Sequence, residues 1–250
     1  MNSTAITPPQ SPTTIGMDAP FRWLRLGWAD FVRNPGPGLM HGGLVACIGW
    51  LLLWVAGDRF WMLVGTFSGF MIIAPILTTG LYQVSKQCAS GHRVGMSEVF
   101  RVWRSLDGRL IVFGLLLSIA ATGWVMTSAS MVTALTSVPV RTPMDFLKHV
   151  VLSPDNWLFE VWLFLGGVLA APMFASSVVA IPMLVDTQAS VRDAVYASWN
   201  AVGNNPIVLG FWAFLIMVLV GVGMLTGLVG LVLVVPVLAH ASWHAYRELA

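Results

Sequence analysis

The sequence predicts an all-α integral membrane protein, and its composition carries that prediction. Hydrophobic residues make up 57% of the 250 positions and charged residues only 10%. An ordinary soluble domain is about 45–50% apolar and roughly 25% charged. A chain this apolar cannot cover its surface with polar groups, so lipid must act as solvent for part of it. The 12 tryptophans and 24 glycines agree, because Trp is enriched at membrane interfaces and Gly in membrane helices.

Apolar runs of about 20 residues, the length that a membrane helix needs, predict six membrane-spanning helices. Asp58-Arg59 ends the first run, and the second begins directly after it. The region 206–246 is too long for one crossing, so we expect it to fold back near the glycine-rich stretch 221–227. The predicted spans are 38–56, 60–82, 110–135, 157–185 and two within 206–246.

Lysine and arginine are distributed unequally between the two sides of the membrane that the six predicted spans would cross. Ten of the 13 lie on the side of the termini, and three lie on the opposite side, at Arg59, Arg141 and Lys148. Under the positive-inside rule, this bias predicts that both termini are cytoplasmic. The net charge of +2 is too small to indicate a nucleic-acid partner.

The first 17 residues are rich in Ser, Thr and Pro and contain no Lys or Arg. They lack the basic region and apolar core of a signal peptide. We therefore expect a disordered tail at 1–17, retained in the mature protein, followed by a single membrane domain at 18–250. The external loop between the third and fourth spans predicts one short helix, roughly 143–152.

Tryptophan and proline at matching positions indicate a threefold repeat. A short amphipathic segment with a tryptophan precedes each odd-numbered span, and each even-numbered span carries a proline deep in an apolar run, where we expect a helix kink. The predicted unit is therefore an interfacial helix, a straight span and a Pro-containing span. The tryptophans are Trp28, Trp103 and Trp199, and the prolines are Pro75, Pro172 and Pro236. The units are about 18–90, 91–187 and 188–250.

Each amphipathic segment suits a helix that lies in the cytoplasmic headgroup region, with Trp at headgroup depth and Arg on anionic phosphate. In the first segment, one helical face holds Phe21, Leu24, Trp28 and Phe31. These helices either brace the bundle or take part in lipid sensing or partner docking. The expected interfacial anchors are Trp28, Trp103, Trp199 and Trp243.

Three histidines lie in or beside predicted spans, near the cytoplasmic face. His240 and His244 are four residues apart, which places both rings on one face of a helix, and His41 lies just within the first span. Neutral imidazoles ligate copper, zinc and haem iron, but neither an HExxH glutamate nor a cysteine accompanies these three. We interpret them as the polar end of membrane helices. A metal or haem site and a pH-responsive hydrogen-bonding role are the alternatives.

The remaining polar residues predict no catalytic site. Glu160 and Asp186 lie at helix ends, and neither pairs with a basic residue midway across the membrane. The chain contains no phosphate-binding loop, nucleophile elbow or dinucleotide fingerprint. Cys47 and Cys88 show no metal-ligand spacing and are expected to be free thiols. We therefore expect no catalytic residue and no bound cofactor, and a protein that is not an enzyme.

Three stretches, PFRWLRLGWADFVRNPGPGL, APILTTGLYQVS and HASWHAYR, resemble a family of uncharacterised bacterial integral membrane proteins known as domain of unknown function 2189. The resemblance covers nearly everything after the tail and implies a location in the bacterial inner membrane. Some members carry a label as cytochrome c oxidases, which would imply haem ligation by histidines in several helices. In this chain, the histidines in or beside spans are His41, His240 and His244.

The leading functional hypothesis is a non-enzymatic accessory or assembly component of a membrane complex. Small residues in GGVLAAPMFASS and GVGMLTGLVG permit close helix packing, within the chain or with another subunit. The first alternative is a small transporter or channel built on the Pro-containing spans. The second is a haem- or metal-binding redox subunit. The expected partners are the lipid bilayer and other membrane subunits.

Overall fold

The structure is a computed structural model that describes residues 15–56, 65, 78–90, 96–104, 107–153 and 157–250. Within these residues the chain is helical and contains no strand. A π-helical turn at Leu147–Val151 follows the short helix Pro143–Phe146. The described helices are α1 (Ala19–Arg33), α2 (Pro35–Ala56), α3 (Thr79–Ala89), α4 (Met96–Arg104), α5 (Gly108–Leu135), α6 (Pro143–Phe146), α7 (Leu158–Ser177), α8 (Ala180–Asp186), α9 (Val191–Asn204), α10 (Pro206–Leu225) and α11 (Leu231–Leu249).

Four helical stretches in the described part of the chain are long and apolar enough to cross a membrane. They confirm that helices occupy the first, third, fourth and fifth predicted spans. The predicted second span, 60–82, lies mostly outside the described residues. Helix α11 occupies the predicted sixth span but is not among the four. The four stretches are Pro35–Val55, Gly108–Leu135, Leu158–Asp186 and Pro206–Leu225.

Two junctions between an amphipathic helix and an apolar helix have nearly the same backbone geometry. Asn34 (φ −136°, ψ 67°) separates α1 from α2, and Asn205 (φ −134°, ψ 50°) separates α9 from α10. Each Asn N–H donates to the carbonyls three and four residues earlier. The proline that follows disfavours helical geometry at the Asn and is itself well suited to begin the next helix.

The chain turns between α10 and α11 at residues 226–230, slightly later than the predicted 221–227. Gly227 (φ 66°) and Leu228 (φ 70°) adopt the left-handed conformation there, which costs a glycine nothing and a leucine some strain. The Thr226 hydroxyl accepts the N–H of Gly230 at 2.8 Å. Trp50 of α2 donates its Nε1–H to the Gly227 carbonyl at 2.8 Å, which fixes the turn against the first span.

The fourth span is interrupted at Val178–Val179, between α7 and α8. Pro182 explains the position, because a helical proline clashes with the carbonyl four residues earlier, here that of Val178. In α8 the same proline lies in the first turn, where its missing N–H loses no helical bond. Helices α7 and α11 continue through Pro172 and Pro236, and Pro75 lies outside the described residues, so the three expected kinks stay predictions.

The largest core of the described residues lies where α1, α3, α8, α10 and α11 meet. Trp23 of α1 and Trp212 of α10 are fully buried and pack edge to face, with ring centroids 5.6 Å apart. The side of α1 that packs on the bundle carries Ala19, Trp23 and Gly27. Phe21 and Trp28 of the predicted apolar face remain exposed on the protein surface, where lipid can cover them.

The loop between α5 and α7 contains the predicted short helix, divided between α6 and the π-helical turn, so that it covers Pro143 to Val151. Thr142 and Asp145 form a reciprocal capping box at its start. Its buried side chains pack on the ends of the neighbouring spans and form a small separate cluster of Val132, Val140, Val150 and Leu158.

A buried histidine and aspartate cluster as the candidate functional site

Glycines bring α1 and α2 against α11 at the place where polar side chains meet. A Cβ atom on Gly27 would lie 2.6 Å from the amide nitrogen of Ala241 and 2.7 Å from the carbonyl oxygen of Val237. A Cβ atom on Gly42 would overlap the backbone of Val232. Because both positions lack a side chain, α11 is held at backbone contact by two other helices.

Four polar side chains from α1, α3 and α11 form a continuous hydrogen-bonded chain there, which we call the His–Asp cluster: Asp30, Ser85, His240 and His244. The Ser85 hydroxyl donates to Asp30 Oδ2 at 2.7 Å and lies 2.7 Å from Nδ1 of His240. Nε2 of His244 contacts the same Asp30 oxygen at 2.8 Å. Asp30 thus joins the two histidines of α11, one directly and one through Ser85.

The electrostatic environment of Asp30 favours its ionised form. Burial by itself raises the pKa of this carboxyl. Hydrogen bonds from His244 and Ser85, together with the nearby imidazoles of His244 and His240, more than offset that effect, so the pKa of Asp30 lies below its ordinary value. Asp30 is therefore a carboxylate at neutral pH and acts as the acceptor of the cluster.

The structure buries His41 and His240 and leaves His244 only partly exposed. Nδ1 of His41 lies 2.7 Å from the Pro37 carbonyl, so this nitrogen carries the hydrogen. His41 is close enough to His240 to interact electrostatically. Within the described residues, no three His, Cys, Asp or Glu side chains are placed to hold a metal ion. The expectation of no cofactor stays a prediction.

The His–Asp cluster lies away from the cavity in this part of the bundle. That cavity, of about 170 Å³ between α2, α3, α10 and α11, is mainly apolar and includes Thr78, Tyr82 and Ser242 in its lining. The residues of α11 in the lining are Leu231, Val235, Leu238, Ala239 and Ser242. Because successive helical residues turn by about 100°, His240 and His244 lie on the opposite side of α11.

Asp186, at the end of α8, is the centre of a second polar contact. Its carboxylate lies 2.8 Å from Lys86 Nζ of α3 and accepts the Tyr246 hydroxyl of α11 at 2.8 Å. Arg247 Nη1 is 3.5 Å away. Asp186 therefore ties together the ends of α3, α8 and α11, which belong to the three Pro-containing spans of the predicted repeat.

Two of the expected interfacial anchors are half exposed, and one is buried. Trp28 and Trp199 expose about half of their side chains, at 50% and 48%, and Nε1 of Trp199 donates to Ser176. Trp243 is 2% exposed and packs beside Tyr246 in the core, so protein rather than lipid surrounds it here. The Trp103 side chain lies outside the described residues. The anchoring roles stay predictions.

Sequence reasoning identified the histidines but missed Asp30 and Ser85. Asp30 is the single acidic residue between positions 19 and 57. It follows Trp23 by seven residues and Gly27 by three, which is the spacing of the buried side of α1. An acidic residue on the packed side of an amphipathic helix is the sequence feature that could have identified Asp30 as a site residue. Ser85 gave none, because serine is common near helix ends.

Apolar helices of membrane-spanning length, joined by buried polar contacts at one end of the bundle, define a helical integral membrane protein. The family model described as "Predicted integral membrane protein (DUF2189)" matches residues 62–186. The match covers half of the chain, so the chain belongs to this family, as its resemblance predicted. No curated protein and no solved structure matches the chain.

Proposed function

We propose that the chain is a six-span protein of the bacterial inner membrane with both termini in the cytoplasm. Support comes from the four candidate spans, from the ten-to-three distribution of Lys and Arg, and from the family's description as integral membrane protein. Helix α11, with 19 residues, supplies the sixth span, and the second lies at 60–82. The tail at 1–17 precedes this single domain, although Ile15 already contacts Asn205 through its N–H.

We propose further that the six spans are three repeated units arranged as a closed ring. In two units, an Asn-Pro junction with matching backbone angles links the interfacial helix to its span. Each interfacial helix packs on the end of a Pro-containing span: α4 on α3, α9 on α7 and α8, and α1 on α11. The first unit thereby contacts the last, which a linear array of repeats would not require.

For its biological role, we propose a non-enzymatic accessory or assembly component of a membrane complex. The observation that carries this proposal is that the buried polar side chains bond to one another between helices. Asp30, Ser85 and the histidines join α1, α3 and α11, and Asp186 joins α3, α8 and α11. Polar groups used in this way hold a bundle together rather than line a path for a solute.

The outer faces of α7 and α10 support contact with another membrane helix. Among the described residues, a Cβ atom on Gly167 or Gly221 would meet nothing within 4 Å, so these positions permit a second backbone to approach closely. The transporter alternative has weaker support. The cavity between α2, α3, α10 and α11 is about 170 Å³, below the roughly 300–1,000 Å³ typical of ligand pockets. The cavity between α5 and α7 is about 540 Å³, but its lining is mainly apolar, with Thr127 as its polar side chain.

Native mass spectrometry of the protein extracted from its own membrane with its lipids tests the accessory role. We expect a complex with one defined second membrane protein. Gly167→Leu or Gly221→Leu should release that protein, whereas the neighbouring changes Val168→Leu and Val222→Leu should retain it. Thermal stability of each variant in detergent establishes that the chain itself remains folded.

A chain that leaves the membrane alone, and that transports ions or solutes after reconstitution into liposomes, would contradict the accessory role. The redox alternative has its own test in the absorption spectrum and metal content of the purified protein. A haem absorption band or bound copper that His240→Ala and His244→Ala both abolish would replace the accessory role with that of a redox subunit.

A further inference from the structure

We propose that the His–Asp cluster is a proton-binding site, in which one proton moves between His240 and Asp30 through the Ser85 hydroxyl. The proposal concerns side chains that also join the helices, and it adds proton binding, which the accessory role does not use, so either can fail without the other. It rests on three hydrogen bonds of 2.7–2.8 Å and on the burial of His240.

The direction of each hydrogen bond follows from the chemistry of the groups. Ser85 has one hydroxyl hydrogen and donates it to the Asp30 carboxylate, which can only accept. Nδ1 of His240 must therefore donate to the Ser85 oxygen. In the neutral ring, Nε2 then carries a lone pair and no hydrogen.

Nε2 of His240 is the proton acceptor of the site. His240 is 0% exposed, and its Nε2 has no hydrogen-bond partner among the described residues. A buried lone pair without a donor is unfavourable. Binding a proton would satisfy it, provided that the positive charge can leave the ring.

The hydrogen-bonded chain provides that route. When a proton binds at Nε2, the Nδ1–H bond of His240 breaks and its proton passes to the Ser85 oxygen, while the Ser85 hydroxyl proton passes to Asp30 Oδ2. The products are a neutral Asp30 acid, an intact serine and a neutral His240 that carries its hydrogen on Nε2. One proton has been bound, one carboxylate has been neutralised, and no charge remains on the buried ring.

His244 connects the site to the surface. Its Nε2 lies 2.8 Å from Asp30 Oδ2, and 20% of its side chain is exposed. The cluster thus has a buried imidazole on one side of the carboxylate and a partly exposed imidazole on the other. Because Asp30 is linked to His240 through Ser85, a proton that either group binds belongs to the cluster as a whole.

The charged and polar groups around the cluster contact partners other than Asp30, so Asp30 is the carboxylate to which the proton passes. Lys86 of α3 and Arg247 of α11 are directed to Asp186 rather than to Asp30. The Cys88 thiol of α3 accepts a hydrogen bond from Asn34. Among the described residues, the titratable groups near the cluster are His41 from α2, Cys88 from α3 and both histidines from α11, and Arg33 of α1 lies near Cys88.

Magnetic-resonance spectra of the full chain in lipid nanodiscs, labelled with ¹⁵N-histidine and ¹³C-aspartate, test the proposal as pH is lowered. At neutral pH, we expect the His240 hydrogen on Nδ1. As the Asp30 carboxyl gains its proton, the His240 hydrogen should move to Nε2 with the same midpoint. His149→Gln, in the external loop, is the matched control and should leave both signals unchanged.

Substitutions at Ser85 separate proton transfer from a purely structural hydrogen bond. Ser85→Ala should abolish the exchange of the His240 hydrogen and raise the Asp30 midpoint by about one pH unit, the scale of interaction between coupled groups. Ser85→Thr keeps the hydroxyl and should restore both. The proposal is overturned if the His240 hydrogen stays on one nitrogen while Asp30 titrates, or if Ser85→Ala leaves the exchange intact.

Discussion

At the residue scale, Gly27 marks the closest approach of α1 to α11. Gly27→Ala should destabilise the protein by about 1–3 kcal/mol, the usual cost of overpacking, because the new methyl group would lie 2.6 Å from the Ala241 nitrogen and 3.0 Å from its Cα. Unfolding in mixed detergent micelles, monitored by circular dichroism, measures this change in stability.

Gly43→Ala is the matched control, since it makes the same change in α2 where a Cβ atom would meet no described residue within 4 Å. Alanine is the better helix former by about 0.5–1 kcal/mol, so this variant should be as stable as the unaltered protein or slightly more stable. Equal destabilisation by both changes would contradict the close contact of α1 with α11.

Asp145, in the external loop, gives a pH dependence with a defined sign. The backbone N–H of Arg141, then the side chain and N–H of Thr142, hold the pKa of this carboxyl below its ordinary value of 3.8. Because the pKa is lowered on folding, the Asp145 carboxylate stabilises the capped helix at any pH above the ordinary Asp pKa. This stabilisation is lost as the pH falls through the lowered pKa of the folded protein.

Acidification below about pH 4, the ordinary range of an Asp carboxyl, should therefore fray α6 and shift the amide resonances of Arg141 and Thr142. In Asp145→Asn these resonances should not respond to pH over the same range. A response that persists in the Asn variant would assign the effect to another group.

At the scale of single helices, the break between α7 and α8 depends on a contact from α9. Ser198→Ala removes the hydroxyl that accepts the buried N–H of Val179 at 3.1 Å. An unsatisfied buried donor costs about 1–3 kcal/mol, so we expect a loss of that size in the free energy of unfolding.

Ser177→Ala serves as the comparison, because this hydroxyl bonds to the Met173 carbonyl of its own helix at 2.8 Å. Loss of such a local bond leaves the helix intact and should cost less than Ser198→Ala. If the two serine variants unfold alike, the contact with α9 does not support the break.

Helix positions were predictable where hydropathy alone decides them. The runs at 38–56 and 110–135 correspond to helices α2 (Pro35–Ala56) and α5 (Gly108–Leu135), because burial in lipid depends on length and apolarity whatever the neighbours are. The break at Val178–Val179 was harder to locate, since Pro172 and Pro182 both lie in that run and only the second interrupts the helix.

The cluster was less predictable, because its members are distant in sequence. Asp30 and His244 are 214 residues apart, and their contact exists only because α1 packs on α11. A pattern within one helix identifies His240 and His244 as neighbours but cannot identify what they face. His240 lies against Ser85 and His244 against Asp30, and the interpretation of the histidines as the polar end of membrane helices stays a prediction.

At the scale of the whole molecule, Asp186 holds the ends of α3, α8 and α11 together. Asp186→Asn keeps the shape of the side chain but removes the charge that Lys86 and Tyr246 contact. We expect a loss of about 1–3 kcal/mol in stability, reduced by solvent around the partly exposed lysine. Asp193→Asn removes an exposed carboxylate that accepts the Ser190 hydroxyl at the start of α9, and its cost should be smaller, at most about 1 kcal/mol.

A double-mutant cycle with Lys86→Gln identifies the partner. A coupling energy of about 0.5 kcal/mol or more between the two substitutions would show that Lys86 and Asp186 act on each other across helices. Additive effects would contradict the assignment of Asp186 as a link between the units.

The proposed six-span ring has both ends on the cytoplasmic side, and labelling of single cysteines tests this topology. In a variant with Cys47 and Cys88 replaced by alanine, new cysteines at Gly16, Ser153 and Ala250 are exposed to a membrane-impermeant maleimide in cells with a permeabilised outer membrane. We expect only Ser153→Cys to react until the inner membrane is opened. Reaction at Gly16→Cys or Ala250→Cys in cells with an intact inner membrane would contradict it.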